Sequence, residues 1–262
     1  MGQVILLAVL LQACHDKINP SSPKGGYEDT LTYNLYTIDQ RISGCAVSDT
    51  FCTHAKIVYP LLCNSSEQLK REIAKDVLEL ASPLRDDSGA YPDLNVAATA
   101  FLDSFKVSKM RAFKINPEET VFPWTLDLTL QVRYRNSLVF LEGNRDLYLG
   151  GASNFYSSIR HAFDRETGQR LTLIQLLKNE ASIKIVTQKI ESYWKKHIHS
   201  NATINLQSEQ FYLPEMWSIK QDTLILTYNK GEISGGGWLD LKIPLSSVEN
   251  EFAPHYKTLL AE

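Results

Sequence analysis

Between Trp124 and Tyr134 the chain alternates without a break. Trp124, Leu126, Leu128, Leu130, Val132 and Tyr134 fall on one side of an extended backbone, and Thr125, Asp127, Thr129, Gln131 and Arg133 fall on the other. A period of two predicts a strand with one covered and one wet face, the pattern of antiparallel sheets. "NSLVFLE" follows as its hairpin partner, and "DLYLGGASNF", Asp146 to Phe155, is expected on a further strand that breaks at Gly150 and Gly151. Upstream, Ala55, Ile57 and Tyr59 alternate with His54, Lys56 and Val58 before Pro60, which predicts a short strand at a sheet margin.

Other stretches carry the helical period. In "SSEQLKREIAKDVLELAS", Ser65 or Ser66 can cap a helix whose Leu69, Ile73, Val77 and Leu80 share one face and which Pro83 stops. A second helix is predicted from Leu94 to about Met110, with Val96, Phe101 and Phe105 buried. A third is predicted from about Ala181 to Lys196, with Ile183, Val186, Ile190, Tyr193 and Trp194 inside. Between the last two lies "IRHAFDRETGQRLTLIQLL": a strand, a turn at Glu166-Thr167-Gly168, then a short strand entering a helix at a Thr172/Gln175 capping box. Strands are also expected around Phe211, at Thr223 to Tyr228 and at Trp238 to Ile243. Helices and strands mix without regular alternation, so the expected class is α+β: antiparallel sheets with packed helices, in two small consecutive subdomains, 31–157 and 158–262.

Composition narrows the possibilities. The 262 residues are 44% hydrophobic and 22% charged, enough for a substantial core. The formal net charge is −3 and no basic stripe stands out, so no nucleic-acid partner is expected. The start, "MGQVILLAVLLQACHDK", has an apolar run from Val4 to Leu11, too short for a bilayer but suited to a secretion signal over residues 1–13. Leu11-Gln12-Ala13-Cys14 resembles the lipobox of bacterial lipoproteins, which implies acylation at Cys14 and attachment to a membrane. No Lys or Arg precedes the apolar run, a departure from that pattern. His15 after the cysteine implies sorting to the outer membrane, facing the periplasm or the cell surface. Residues 14–30, with "INPSSPKGGY", read as a tether. Cys45 and Cys52 flank a polar turn that a disulfide can close, which would leave Cys63 as the odd cysteine; with no CxxC motif, no metal site is expected.

Three spaced segments carry a family resemblance: "YLGGAS" (Tyr148 to Ser153), "FDRETGQRLTLIQLL" (Phe163 to Leu177) and "LILTYNKGEISGGGWLDLKIPLSSV" (Leu224 to Val248). Together they resemble the RsiV-like family of extracytoplasmic domains. "CAVSDTFCTHAKIVYPLL" and the helix after it resemble the companion domain found ahead of a peptidoglycan deacetylase. The resemblance implies a non-catalytic cell-envelope binding or sensing module, with a lysozyme-type enzyme or peptidoglycan as ligand and no cofactor. No sigma-binding segment precedes the apolar run, so anti-sigma action is not expected. Ser153 stands where the family has His, and Gln175 where it has Asp.

Individual residues admit competing readings. Ser153 lacks a Gly-x-Ser-x-Gly elbow and the Gly150-Gly151 pair lacks the Lys-Ser/Thr sequel of a phosphate loop. A bend that presents Ser153, Asn154, Phe155 and Tyr156 as a binding surface is the expectation. His197 and His199 read as cations at a helix C-terminus rather than metal ligands. Trp217 and Trp238 belong either to the core or to a surface that stacks on a sugar ring or anchors a protein. Two other function classes stay open on sequence: a cell-wall hydrolase or deacetylase, and a structural envelope lipoprotein without a soluble ligand.

Overall fold

The alternating stretches build a six-stranded sheet in the order β1 (Tyr33–Arg41), β2 (His54–Leu62), β3 (Trp124–Arg135), β4 (Leu138–Leu149), β5 (Phe155–Asp164) and β6 (Arg170–Leu171). The computed structural model describes residues 31–46, 48–49, 51–84, 91–118, 120–197, 211–229, 232 and 238–256. Cys14, the tether, His199 and Gly235 to Gly237 lie outside them. The mixed α+β class is as expected, with α1 (Glu67–Leu80), α2 (Leu94–Ile115), α3 (Glu180–His197) and a second, three-stranded antiparallel sheet of β7 (Met216–Lys220), β8 (Thr223–Tyr228) and β9 (Leu239–Pro244).

Side-chain alternation divides the large sheet into two faces. Ala55, Ile57, Leu126, Leu128, Leu130, Val132, Val139, Leu141, Ile159 and Phe163 pack with Leu69, Ile73, Val77, Phe101 and Leu102 of α1 and α2. From the same strands, Leu138, Phe140 and Ala162 point the opposite way. They join Val186, Ile190 and Trp194 of α3 and Trp217, Ile219, Leu224, Leu226, Leu241 and Ile243 of the small sheet. β4 and β5 are thus buried on both sides, and the expected junction between residues 157 and 158 lies within β5.

Both N-terminal caps form as the sequence dictates. The Ser66 hydroxyl accepts from the Leu69 N–H at 3.2 Å, and the Asp93 carboxylate accepts from the Val96 N–H at 2.9 Å. The Thr172/Gln175 box also closes, the Gln175 side chain accepting from the Thr172 N–H at 2.7 Å, but it caps only a three-residue 3-10 turn, Ile174–Leu176, and no α-helix. Gly168, at φ +71°, ends the turn after β5; a Cβ there would sit 2.9 Å from the Leu69 nitrogen, so the turn seats directly on the start of α1.

Several expectations need correction. β2 is interior, pairing antiparallel with β1 and parallel with β3; Pro60 is tolerated because it lies past Val58↔Thr129, the last β2–β3 register pair. The parallel pair requires a long crossover, which α1 and α2 supply. Asp146 to Leu149 belong to β4 itself, a continuous twelve-residue strand, and Gly150-Gly151 open the β4–β5 turn. α2 runs past Met110 to Ile115, and its Val96 is 39% exposed because it lies opposite the Ala98/Phe101/Phe105 stripe. Tyr134 is exposed at the strand end. Phe211 lies in no strand; Pro214 withholds a ladder donor, and the Phe211 ring packs on Trp194 and Tyr228. Cys45 and Cys52 are bonded as expected, with Cα atoms 6.1 Å apart, whereas Cys63 is no free thiol.

Candidate functional site

On the side away from α1 and α2, the strand registers write out a two-dimensional lattice. One row crosses the sheet as His54, Thr125 and Tyr148; the next as Lys56, Asp127, Asp146 and Tyr156; the third as Val58, Thr129, Asn144 and Ser158. These are the polar members of the alternation that puts leucines on the other face. Where the small sheet approaches, the lattice drops into a groove of about 460 Å³ lined by Gln131, Glu142, Asn144, Arg160, Asp240 and Lys242 among others.

The groove floor is a closed charge network. Arg133 grips Glu142 through two nitrogens, at 2.9 and 3.3 Å, and lies 4.7 Å over the Phe140 ring. Arg160 spans the two sheets: it donates to Asp240 at 2.6 Å and to Thr227 at 2.8 Å, and its third nitrogen lies 3.7 Å from Glu142. The Thr227 hydroxyl then donates to Asp240 at 2.6 Å. Burial pushes the Glu142 carboxyl up, but the hydrogen bonds and charge of Arg133, helped by the charge of Arg160, outweigh it and hold the group below the usual range. Glu142 is therefore an ionised carboxylate neutralised by arginine, and Asp240 accepts from both Arg160 and Thr227. Lys220 and Lys242 line the same groove and add positive charge.

The β4–β5 turn lies further along the same two strands. Gly150 has φ +77°, a conformation that side chains disfavour, and a Cβ there would meet the Phe122 carbonyl and the Trp124 ring at 3.4 Å. Ser153 and Asn154 are exposed at the tip, and the Asn154 amide donates to Asp146 at 3.2 Å. Phe155 and Tyr156, as strand neighbours, point to opposite faces: Phe155, 55% exposed, sides with the helices, and Tyr156 faces the groove. The Tyr156 ring lies 6.3 Å from that of Trp238, which is 46% exposed, whereas Trp217 is core, donating its indole N–H to the Leu171 carbonyl. Tyr156 and Trp238 thus meet two residues along the chain from the groove-lining Ser158 and Asp240, Asn154 is tied to Asp146, and Ser153 and Phe155 stand apart. A second exposed aromatic pair, Phe51 and Phe122 at 6.3 Å, sits beside the disulfide turn.

Two histidines lie near carboxylates. His54 donates to the Cys52 carbonyl at 3.0 Å and to Asp127 at 3.1 Å, so both ring nitrogens carry protons. The Asp127 hydrogen bond raises its pKa above 6.5, and the Cys52 carbonyl adds to this against the opposing effects of burial and Arg41. A raised folded-state pKa contributes stability that is fully present below about pH 6.5 and fades as pH climbs through the folded value. Melting wild type and Asp127→Asn between pH 5 and pH 8 is therefore expected to show a gap that is widest in acid and narrows toward pH 8. The second histidine, His161, is 3% exposed; its Nδ1 donates to Asp76 at 2.5 Å while Arg170 donates to its Nε2 at 3.0 Å and to Asp76 at 3.1 Å. No sequence pattern singles out this triad. Its one signal is the adjacent Arg160 and His161 set between Ile159 and Ala162-Phe163. With every ring nitrogen engaged in protein bonds, both histidines tie strands and helices together. Among the described residues no group of three or more His, Cys, Asp or Glu is placed to hold a metal ion.

An α+β fold with one two-sided sheet and a polar inter-sheet groove is the class these features define. Solved structures share the fold. A DUF3298 family protein from Pseudomonas aeruginosa PAO1 superposes with a TM-score of 0.62 at 18% identity, over 87% of this chain and 97% of that one. A member of the same family from Bacteroides fragilis NCTC 9343 gives a TM-score of 0.68 at 14% identity, over 90% of this chain and 100% of that one. At such identities the likeness establishes the fold. No protein-family model and no curated protein matches the chain.

Proposed function

We propose that this protein is a non-catalytic binding module of the bacterial cell envelope that takes its ligand along the inter-sheet groove. The observation that carries the reading is the Tyr156–Trp238 pair, partly exposed two residues along the chain from the lining of a groove whose acidic groups are already neutralised. Aromatic faces beside satisfied polar groups suit stacking on a sugar ring or anchoring a protein loop, since the rings lose little entropy on binding and the charges need no new partner. The resemblance of "YLGGAS", "FDRETGQRLTLIQLL" and the last strands to the RsiV-like family names the ligand class: a lysozyme-type enzyme, or the glycan of peptidoglycan.

Calorimetry on the purified protein, with C-type lysozyme and with purified peptidoglycan fragments, tests this. Saturable binding to one of them is expected, and Trp238→Ala is expected to weaken it by about thirtyfold, the size of an interface anchor. Absence of heat with both ligands, or binding indifferent to Trp238, would sink the proposal.

A further inference from the structure

The last ten residues of α2 leave the core. Phe101, Leu102 and Phe105 are the last buried side chains of that helix, and Phe105 meets Trp124, the first residue of β3. From Lys106 to Ile115 every side chain is exposed or half-exposed: Val107 is 43% exposed, Met110 57%, Phe113 41% and Ile115 85%. At 1.5 Å per residue this overhang is about 15 Å long. Helical spacing of three sets Val107, Met110 and Phe113 in one spiralling ridge on the outward side.

Charge on the overhang has a single sign. Between Ser104 and Ile115 stand Lys106, Lys109, Arg111 and Lys114 and no acid. Lys106 and Lys109 flank one side of the ridge, and Arg111 and Lys114 the other. Lys106 pairs with Asp103 one turn back at 2.8 Å, Lys109 rides over the Phe113 ring at 5.6 Å, and Glu118 lies beyond the helix end. A chain of net charge −3 has thus concentrated four cations around an exposed apolar ridge.

We infer that the α2 overhang docks onto an anionic lipid bilayer surface. The ridge is convex and has no groove of its own to receive a side chain, so an occupant must accept a protruding apolar edge. A bilayer interface does so: Met110 and Phe113 enter the acyl boundary while the long Lys and Arg stems reach back to phosphate headgroups on either side. The inference stands apart from the groove and from Tyr156, which lie on the other face of the large sheet.

The test uses the full chain with a nitrobenzoxadiazole probe on Met110→Cys, and a second sample labelled at Ser246→Cys, an exposed position on the small-sheet side. Vesicles of phosphatidylglycerol and phosphatidylcholine are expected to blue-shift and brighten the probe at residue 110, and lipids spin-labelled near the headgroup are expected to quench it. Phosphatidylcholine alone is expected to do neither, and the probe at residue 246 is expected to stay unchanged. Replacing Lys109 and Lys114 with Gln is expected to lower partitioning about thirtyfold, each cation near an anionic surface being worth about a factor of five. A silent probe at residue 110 on anionic vesicles, an equal response on neutral ones, or insensitivity to the Lys→Gln changes would overturn the inference. Trp238→Ala is expected to leave the signal at residue 110 intact, so loss of the groove reading and loss of this one are separable.

Discussion

Replacing Gly143 with alanine is expected to destabilise the protein by about 3–5 kcal/mol. The position is mid-strand in β4, opposite Leu130, and a Cβ built there would overlap the Thr129 carbonyl oxygen of β3. That neighbour is backbone and cannot rotate away, so accommodation means parting β3 from β4 along the best-paired seam of the large sheet. The groove also suffers, because Glu142 and Asn144 flank Gly143 and line it. Denaturant unfolding followed by tryptophan fluorescence checks this: the midpoint should fall steeply while the slope stays near wild type. A change below about 1 kcal/mol would mean that the strands separate freely at that point.

Removing the Asp76 carboxylate is the second large perturbation. Asp76→Ala strips the partner from His161 and from one arm of Arg170, at a site where Asp76 itself is 4% exposed. Removing the carboxylate from a buried hydrogen-bonded charge network costs about 3–5 kcal/mol, most of it from the groups left without a partner. For a chain of this size that corresponds to a fall in melting temperature of about 10 °C or more. Arg170 is 39% exposed and can turn to water, so the cost falls chiefly on His161 and on the seam between α1 and β5. Asp76→Asn keeps an oxygen to accept from His161 and should cost about half as much. Equal loss from both variants would place the effect in packing rather than in charge.

Much of the fold is written in periodicity. Leu126 to Val132 alternate because one face of β3 meets helices and the other meets water, and the same rule reveals Thr223 to Tyr228 and the faces of α1 and α3. Where both faces are buried, the rule loses contrast. "LVFL" in β4 has no polar member, so nothing local says that Leu138 and Phe140 serve one core while Val139 and Leu141 serve another. Strand direction is equally silent: the parallel β2–β3 pairing depends on where the crossover helices pack, not on residues 54–58. The groove stayed hidden for a related reason. Glu142, Arg160 and Asp240 are distant in sequence and meet only through two sheet registers and one inter-sheet contact. By contrast the Gly150-Gly151 break marks its turn plainly, since a positive φ is a local demand that glycine meets.

The two-faced burial of β4 and β5 makes neighbouring side chains answer to different masters. A substitution at Phe140 perturbs the layer of α3 and the small sheet, while one at Leu141, a single residue on, perturbs the layer of α1 and α2. Neither layer closes without these two strands, so the halves cannot be traded between proteins by recombination at a linker. A viable exchange would have to carry β4 and β5 intact, with both of their linings, as one inherited piece.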